Sequence, residues 1–278
     1  MCRPWAPDPV DVPQHIREKI PNWTETLPSW IPTLANAAFG ARRTDGHFIR
    51  VNADPLVGSP GPRGKRYFAG KDTKAAFTPP KADKLSSIFV AGFVLDIIGT
   101  TKAEAIAGNV SPSWLIFGDW RDRTAAPPDR FWRTLVADRG PDGLSPPPYY
   151  DRACHIGEEF LRPMTDVIWN RKLMKTKWNS LLGLVPESAE PEDIICILFG
   201  CSVPVVLHEI EGQGGAPGSA YKLVGESYLH GMMDGEAFEL QKEEKEEFEK
   251  RSEGWTKEKI AAQAKIELRM RKQMFELS

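Results

Sequence analysis

An α+β fold follows from three features of this 278-residue sequence. Short β-prone runs bounded by Gly, Pro and acidic residues crowd between 171 and 230. One long apolar run stands at 85–101, and helix-type spacings fill 102–170 between the two. Runs of four to eight β-branched and aromatic residues between turn formers read as strands, whereas apolar residues four apart read as helices. The expected architecture is a small antiparallel β-barrel or meander, with central helices packed on it and a charged C-terminal helical tail.

Composition sets the outer limits. Hydrophobic residues make up 41% and charged residues 27%, which is globular rather than disordered. A net charge of −2 provides no basic field to hold nucleic acid or an anionic membrane. The four cysteines, Cys2, Cys154, Cys196 and Cys201, lack the spacing of a secreted disulfide scaffold, so reduced thiols are expected. The opening MCRPWAPDPV lacks the charged-then-apolar pattern of a signal peptide. The longest apolar run, 88–98, is too short to span a membrane and contains Asp96. A cytosolic protein is the expectation.

Residues 1–40 carry seven prolines, which block regular ladders and helix interiors, and read as an extended arm docked by Trp5, Trp23 and Trp30. A main domain is expected over 41–237. Its first strands are placed at 47–51 and 65–69. The run LSSIFVAGFVLDIIGTT then reads as a buried strand over 87–99, with Gly92 as a bend or bulge; a buried helix is the second reading. A turn of helix is placed at 102–107. Asp129 is expected to cap a helix carrying Phe131, Trp132, Leu135 and Val136, ended by Gly140. A second helix from Asp151 puts Phe160, Leu161, Met164 and Ile168 on one side, with Pro163 bending or breaking it.

Five strands then follow at 172–176, 180–186, 193–199, 204–210 and 220–230. Short connections predict antiparallel meander pairing, and five such strands can close into a barrel. The run 194–199 is apolar throughout and should be buried on both faces, while Gly225 marks a bulge. The segment 238–278 mixes acidic and basic residues at helical spacing and reads as a helical tail divided near Gly254. Its stripe of Ile260, Ala264, Leu268 and Phe275 is a possible partner surface.

Residues suggestive of chemistry read better as packing or turns. Cys196, Cys201 and His208 lack the paired spacing of a metal site. Cys154 and His155 are sequence neighbours, so on a helix their side chains diverge. Ser227 in GESYL lacks the last Gly of a nucleophile elbow. GQGGAPG at 212–218 has Pro217 where a dinucleotide loop needs Gly, and a strand follows it instead of a helix. HGMMDGE at 230–236 has too few regularly spaced oxygens for calcium and reads as a turn, with Met232 and Met233 plugging a barrel end. No catalytic, cofactor or metal residue is assigned. A hydrolase using Ser227 or Cys154 with a histidine remains the enzyme-class alternative.

The runs DIICILFGCSVPVVLHE and YKLVGESYLHGMMDGEAF resemble the C-terminal region of fungal heterokaryon incompatibility (HET-domain) proteins. Members there read like GD-x-V-x-x-L-x-G-x-x-x-P-x-V-L-R, then Y-x-L-V-G-x-x-Y-V-H-G-x-M-x-G-E-A. LPSWIP, GFVLDII, FWRTLVADR and RKLMKT with GLVP agree upstream in order, so the resemblance spans most of 27–238. Two positions depart from it: Glu192 stands where the family usually has Gly, and His208 where it usually has Arg. The motifs of the HET domain itself, which resemble Y-x-x-L-S-Y-x-W-G, D-x-x-C-I-N-Q and R-x-W-x-x-Q-E, do not occur in this sequence. The resemblance implies a non-enzymatic regulatory or recognition region of a nonself-recognition and cell-death protein, as a truncated, degenerate or standalone copy. A standalone barrel that binds a peptide or protein is the alternative.

Overall fold

The computed structural model describes residues 28–30, 37–42, 44–57, 67–78, 87–122, 124–140, 145–150, 158–210, 220–250 and 272–278. The fold is mixed α+β with a largely β core. One strand organises it: β4 (Ile88–Thr101), fourteen residues long, where an apolar strand was expected. Before it come β1 (Phe39–Arg42), β2 (Phe48–Arg50) and the two-residue β3 (Phe77–Thr78). After it stand a 3-10 turn, Ile106–Gly108, then α1 (Pro112–Phe117), α2 (Asp129–Leu135) and α3 (Glu158–Ile168). Next are β5 (Lys172–Thr176), β6 (Leu182–Val185), β7 (Ile194–Leu198), β8 (Val205–Ile210), β9 (Ala220–Glu226) and β10 (Tyr228–Leu229). Helix α4 (Glu236–Lys250) and strand β11 (Gln273–Leu277) complete the order.

The length of β4 lets it serve two groups of strands. Its first ten residues pair with β11 on one edge and with β3 and β7 on the other, and its last four pair with β5. Two ladders carry an extra residue on β4, Leu95 within the pairing to β7 and Gly99 within the pairing to β5, and such bulges re-aim a strand. The bend expected at Gly92 is therefore displaced. Gly92 instead lets β7 approach: an added Cβ would lie 2.4 Å from the Ile197 carbonyl oxygen. Asp96 is fully buried in this apolar strand because its carboxylate accepts backbone N–H groups from Ile97, Trp178 and Asn179, fixing the β5–β6 turn.

The pairings run β4–β11–β9–β8–β7 and return to β4. Of the expected meander pairings, β5–β6, β7–β8 and β8–β9 are present and antiparallel, and the one corrected is β6–β7, because β7 pairs with β4 instead. The first two meander strands, β5 and β6, pair with each other, with the end of β4 and with β10, and stand outside this ring. The strand expected over 220–230 is split at Ser227. Its first part stays beside β8, and Tyr228 and Leu229 cross to β6. The bulge expected at Gly225 is present: Val206 faces Gly225 and Leu207 faces Leu223, leaving Val224 as the extra residue.

Alternate residues of the ring strands converge on one core: Val90, Val94, Cys196, Leu198, Val205, Leu207, Leu223, Phe275 and Leu277, with Trp30 and Trp178 against it. The opposite faces carry Phe93, Leu95, Ile195, Ile197 and Val206, which pack on Met174, Val185, Leu229 and α4 residues Ala237 and Phe238. The run 194–199 is thus covered on both faces. A third core, around Trp114, Phe131, Trp132, Tyr150, Phe160 and Ile168, joins α1–α3 to β5, β6 and Tyr228.

Several expectations are corrected. Residues 67–69 are not a strand: Phe68 N–H donates to Met233 O and Ala69 N–H to Ser202 O, single bonds to loops rather than a ladder. Asp129 is the first residue of α2 rather than its cap, and its carboxylate accepts from Arg133 instead. The helix ends at Leu135, not at Gly140, because Ala137 and Asp138 turn left-handed. Pro163 is accommodated inside α3, and Leu161 faces solvent, unlike Phe160, Met164 and Ile168. The segment 273–277 is not helical. Phe275 is a strand residue buried in the ring, whereas Ile260, Ala264 and Leu268 lie outside the described residues. Met232 and Met233 do not plug the ring; they pack on the two other cores. Of the three tryptophans expected to dock the arm, Trp30 packs on the ring core, and Trp5 and Trp23 lie outside the described residues.

Candidate functional site

A polar cluster lies between the turns that follow α2 and α3, the loop 54–57 and the end of β9. Arg171 follows α3 by three residues, its N–H donating to Ile168 O, so its cation lies beside the C-terminal carbonyls of that helix. Its guanidinium donates to Val167 O at 2.7 Å, Asp54 O at 3.0 Å and Glu226 Oε1 at 2.8 Å. Glu226 also accepts from the backbone N–H groups of Leu56 and Val57. Arg139 donates to Leu56 O and lies 4.5 Å over the Tyr67 ring. The Tyr67 hydroxyl donates to Ala137 O. Every group holds either the loop 54–57 or the turn after α2, so the cluster fixes two connections that no ladder holds.

Burial pushes the Tyr67 phenol up to about 12, against the opposing pull of Arg139 and Arg171. Burial likewise pulls Arg171 below its ordinary value, with Glu226 opposing. A raised folded value for Tyr67 means its stabilisation is complete below pH 10 and is lost as the pH rises through about 12. Tyr67→Phe is expected to remove a tyrosinate absorbance step near pH 12 and to cost about 1 kcal/mol at neutral pH. Base titration by absorbance, with urea melts, checks both.

The sequence candidates do not converge. Cys196 points into the ring core, where burial pushes its thiol well up. His208 is on the other face of β8, directly across from Asp193, and its Nδ1 lies 2.6 Å from Asp193 Oδ1. Cys201 is half-buried beside the core. Among the described residues no three His, Cys, Asp or Glu side chains gather as metal ligands. Ser227 is fully buried, and among the described residues its hydroxyl has no hydrogen-bond partner, histidine included. Cys154, His155 and the loop 212–218 lie outside the described residues. HGMMDGE is a turn: His230 N–H donates to Leu182 O, Met232 N–H to Leu229 O, and Asp234 N–H to Glu236 Oε2 at the start of α4. Burial lowers the His230 imidazole and raises the Asp234 carboxyl, the latter with help from Glu236 and Asp138.

What sequence reading missed is the Arg171–Glu226–Arg139–Tyr67 cluster. Its members are scattered over 160 positions of unremarkable sequence, and only burial marks them. A second missed feature is apolar surface on the β1–β2 hairpin, where Phe39, Phe48, Ile49 and Val51 are exposed.

The family model of the Het-6 beta-barrel domain matches residues 153–250. Over that stretch, about a third of the chain, the sequence is similar to a domain found in fungal heterokaryon incompatibility proteins. No curated protein and no solved structure gave a match. The matched Het-6 region runs from α3 through β5–β10 to the end of α4. Two of the five ring strands, β4 and β11, therefore come from outside it. The HET domain itself is not among the matches.

Both departures from the incompatibility-protein pattern now have a physical reading. His208 keeps a nitrogen donor opposite Asp193, the service an Arg would perform. Glu192 adopts a left-handed conformation, φ 74°, where Gly carries least strain. Glu192→Gly relieves about 1 kcal/mol of backbone strain. It gives up the exposed Lys177 pair, worth about 0.5 kcal/mol, so thermal melts are expected to show no loss of stability.

Proposed function

We propose that this chain is a non-enzymatic regulatory or recognition region of a heterokaryon-incompatibility protein, acting in nonself recognition and the death signalling that follows it. The match to the Het-6 beta-barrel domain over 153–250 carries this reading. The buried Ser227 hydroxyl and the raised Cys196 thiol support it, because neither is available as an activated nucleophile. Reduced Cys196 and Cys201 fit a cytosolic setting. No helix among the described residues is long and apolar enough to cross a membrane. The purified chain is expected to give no turnover in esterase, peptidase and NAD-cleaving assays. Turnover abolished by one point substitution, at Ser227 or Cys154 for instance, overturns the reading.

A second reading is a standalone module that binds a protein partner, favoured by the exposed apolar residues of the β1–β2 hairpin. The stripe of Ile260, Ala264 and Leu268 is part of this reading. Phe275, buried in β11, is not. Pull-downs comparing the intact chain with Phe48→Asp and Leu268→Asp variants separate the two surfaces, and equal capture by all three argues against both.

A further inference from the structure

We propose that the place of β11 in the ring is a peptide-binding seat, filled in the isolated chain by its own C-terminal strand and able to take an extended partner segment instead. This rests on the recognition role proposed above. The fitting segment is apolar at two alternate positions, aromatic at the first, and polar between them.

Four observations lead there. First, the rest of the ring stays connected without β11, because β9, β8, β7 and β4 form consecutive antiparallel pairs. Removing β11 opens a gap between two strand edges and leaves the other four strands paired. Second, β11 is held unequally. Five of its residues pair with β4, from Gln273 opposite Gly92 to Leu277 opposite Ile88. Only Glu276 and Leu277 pair with β9, and in parallel, the sole parallel ladder among the described strands. Third, the seat has two side-chain sockets. Phe275 and Leu277 enter the ring core beside Val90 and Leu223, and Tyr221 meets the Phe275 ring edge-on at 5.5 Å. Met274, between Gln273 and Phe275, is about half exposed. Fourth, a polar clasp closes the far end: Ser29 N–H and Oγ–H both donate to Ser278 O, and Ser278 N–H donates to Tyr221 O.

Two backbone edges with alternate side-chain sockets are what strand addition uses, the main chain giving affinity and the sockets giving specificity. The occupant's chemistry is read from the strand already seated there, QMFEL. Residues 251–272 tether β11 to α4. Because β11 belongs to the same chain as its seat, its pairing is intramolecular, so β11 acts as a plug that an incoming segment must outcompete.

The test uses the full chain and a fluorescent peptide of residues 272–278, KQMFELS. Phe275→Ala weakens the plug, and the peptide is expected to bind this variant at least about tenfold more tightly than the unaltered chain. Ala91→Cys with Met274→Cys places two thiols opposite each other on β4 and β11. Oxidation should pin β11 and abolish uptake, and reduction should restore it. Circular dichroism establishes that Phe275→Ala folds; if it does not, the pinned pair alone decides the matter. Equal binding by the oxidised and reduced pinned chain overturns the proposal, as does no binding to any folded variant. Dimers that form through β11 and vanish on pinning also overturn it, because the occupant is then a second copy. Failure here leaves the assay for turnover untouched, so the two readings fail separately.

Discussion

Arg171→Ala is expected to lower the stability of the chain by about 3–5 kcal/mol. The guanidinium is almost wholly buried and serves three acceptors: Val167 O, Asp54 O and Glu226 Oε1. Removing it strands a partly buried carboxylate and two carbonyls. In a domain of this size the loss corresponds to a fall in melting temperature of roughly 10 °C. Arg171→Met with Glu226→Gln removes both charges and keeps one acceptor for the Leu56 and Val57 amides. That pair is expected to recover part of the loss, because a buried ion pair contributes little net energy beyond avoiding an orphaned charge. A cost below about 1 kcal/mol for Arg171→Ala would show that water reaches the cluster and that it does not hold the 54–57 loop.

Gly92→Ala is expected to cost about 3 kcal/mol, near the top of the usual range for overpacking. The added methyl would sit 2.4 Å from the Ile197 carbonyl oxygen and 3.1 Å from Leu198 Cα. Both obstacles are backbone of β7, so relief requires β4 and β7 to part where the ring closes. Gly231→Ala is the informative control. Its φ is +76°, but nothing lies within 4 Å of an added Cβ. Its expected cost is only the left-handed strain, about 1 kcal/mol. Urea melts followed by tryptophan fluorescence compare the two. Equal effects would mean that crowding at β4–β7 plays no part.

The sequence marked the elements better than their partners. The apolar run at 88–101, the strands near 172, 182, 194 and 205, and the helix near 129 stand close to where their patterns placed them; α3 falls within the helix expected from Asp151, whose residues 151–157 lie outside the described residues. Two errors share a cause. The strand expected over 220–230 is one apolar pattern serving two neighbours, and the break at Ser227 follows from where β6 and β8 stand. Likewise Phe275 continues a helical spacing from Leu268, yet QMFEL also alternates, and the gap between β4 and β9 selects the strand. A short run that satisfies both periods is decided by its surroundings.

The candidate sites divide in the same way. Spacing alone sufficed to doubt Cys196, Cys201 and His208 as a metal set, and β alternation places Cys196 and His208 on opposite faces. The buried cluster of Arg171, Glu226, Arg139 and Tyr67 left no trace in local sequence, since each member looks like an ordinary surface residue until its burial is known.

The sequence by itself determined the class of the fold, the position of its longest strand and the likeness to heterokaryon incompatibility proteins, because all three reside in local patterns of apolar and turn-forming residues. Tertiary structure decided which strands meet, where β11 is seated, and that four distant polar residues share one buried site. Those outcomes depend on contacts between residues far apart in the chain, which no local period encodes.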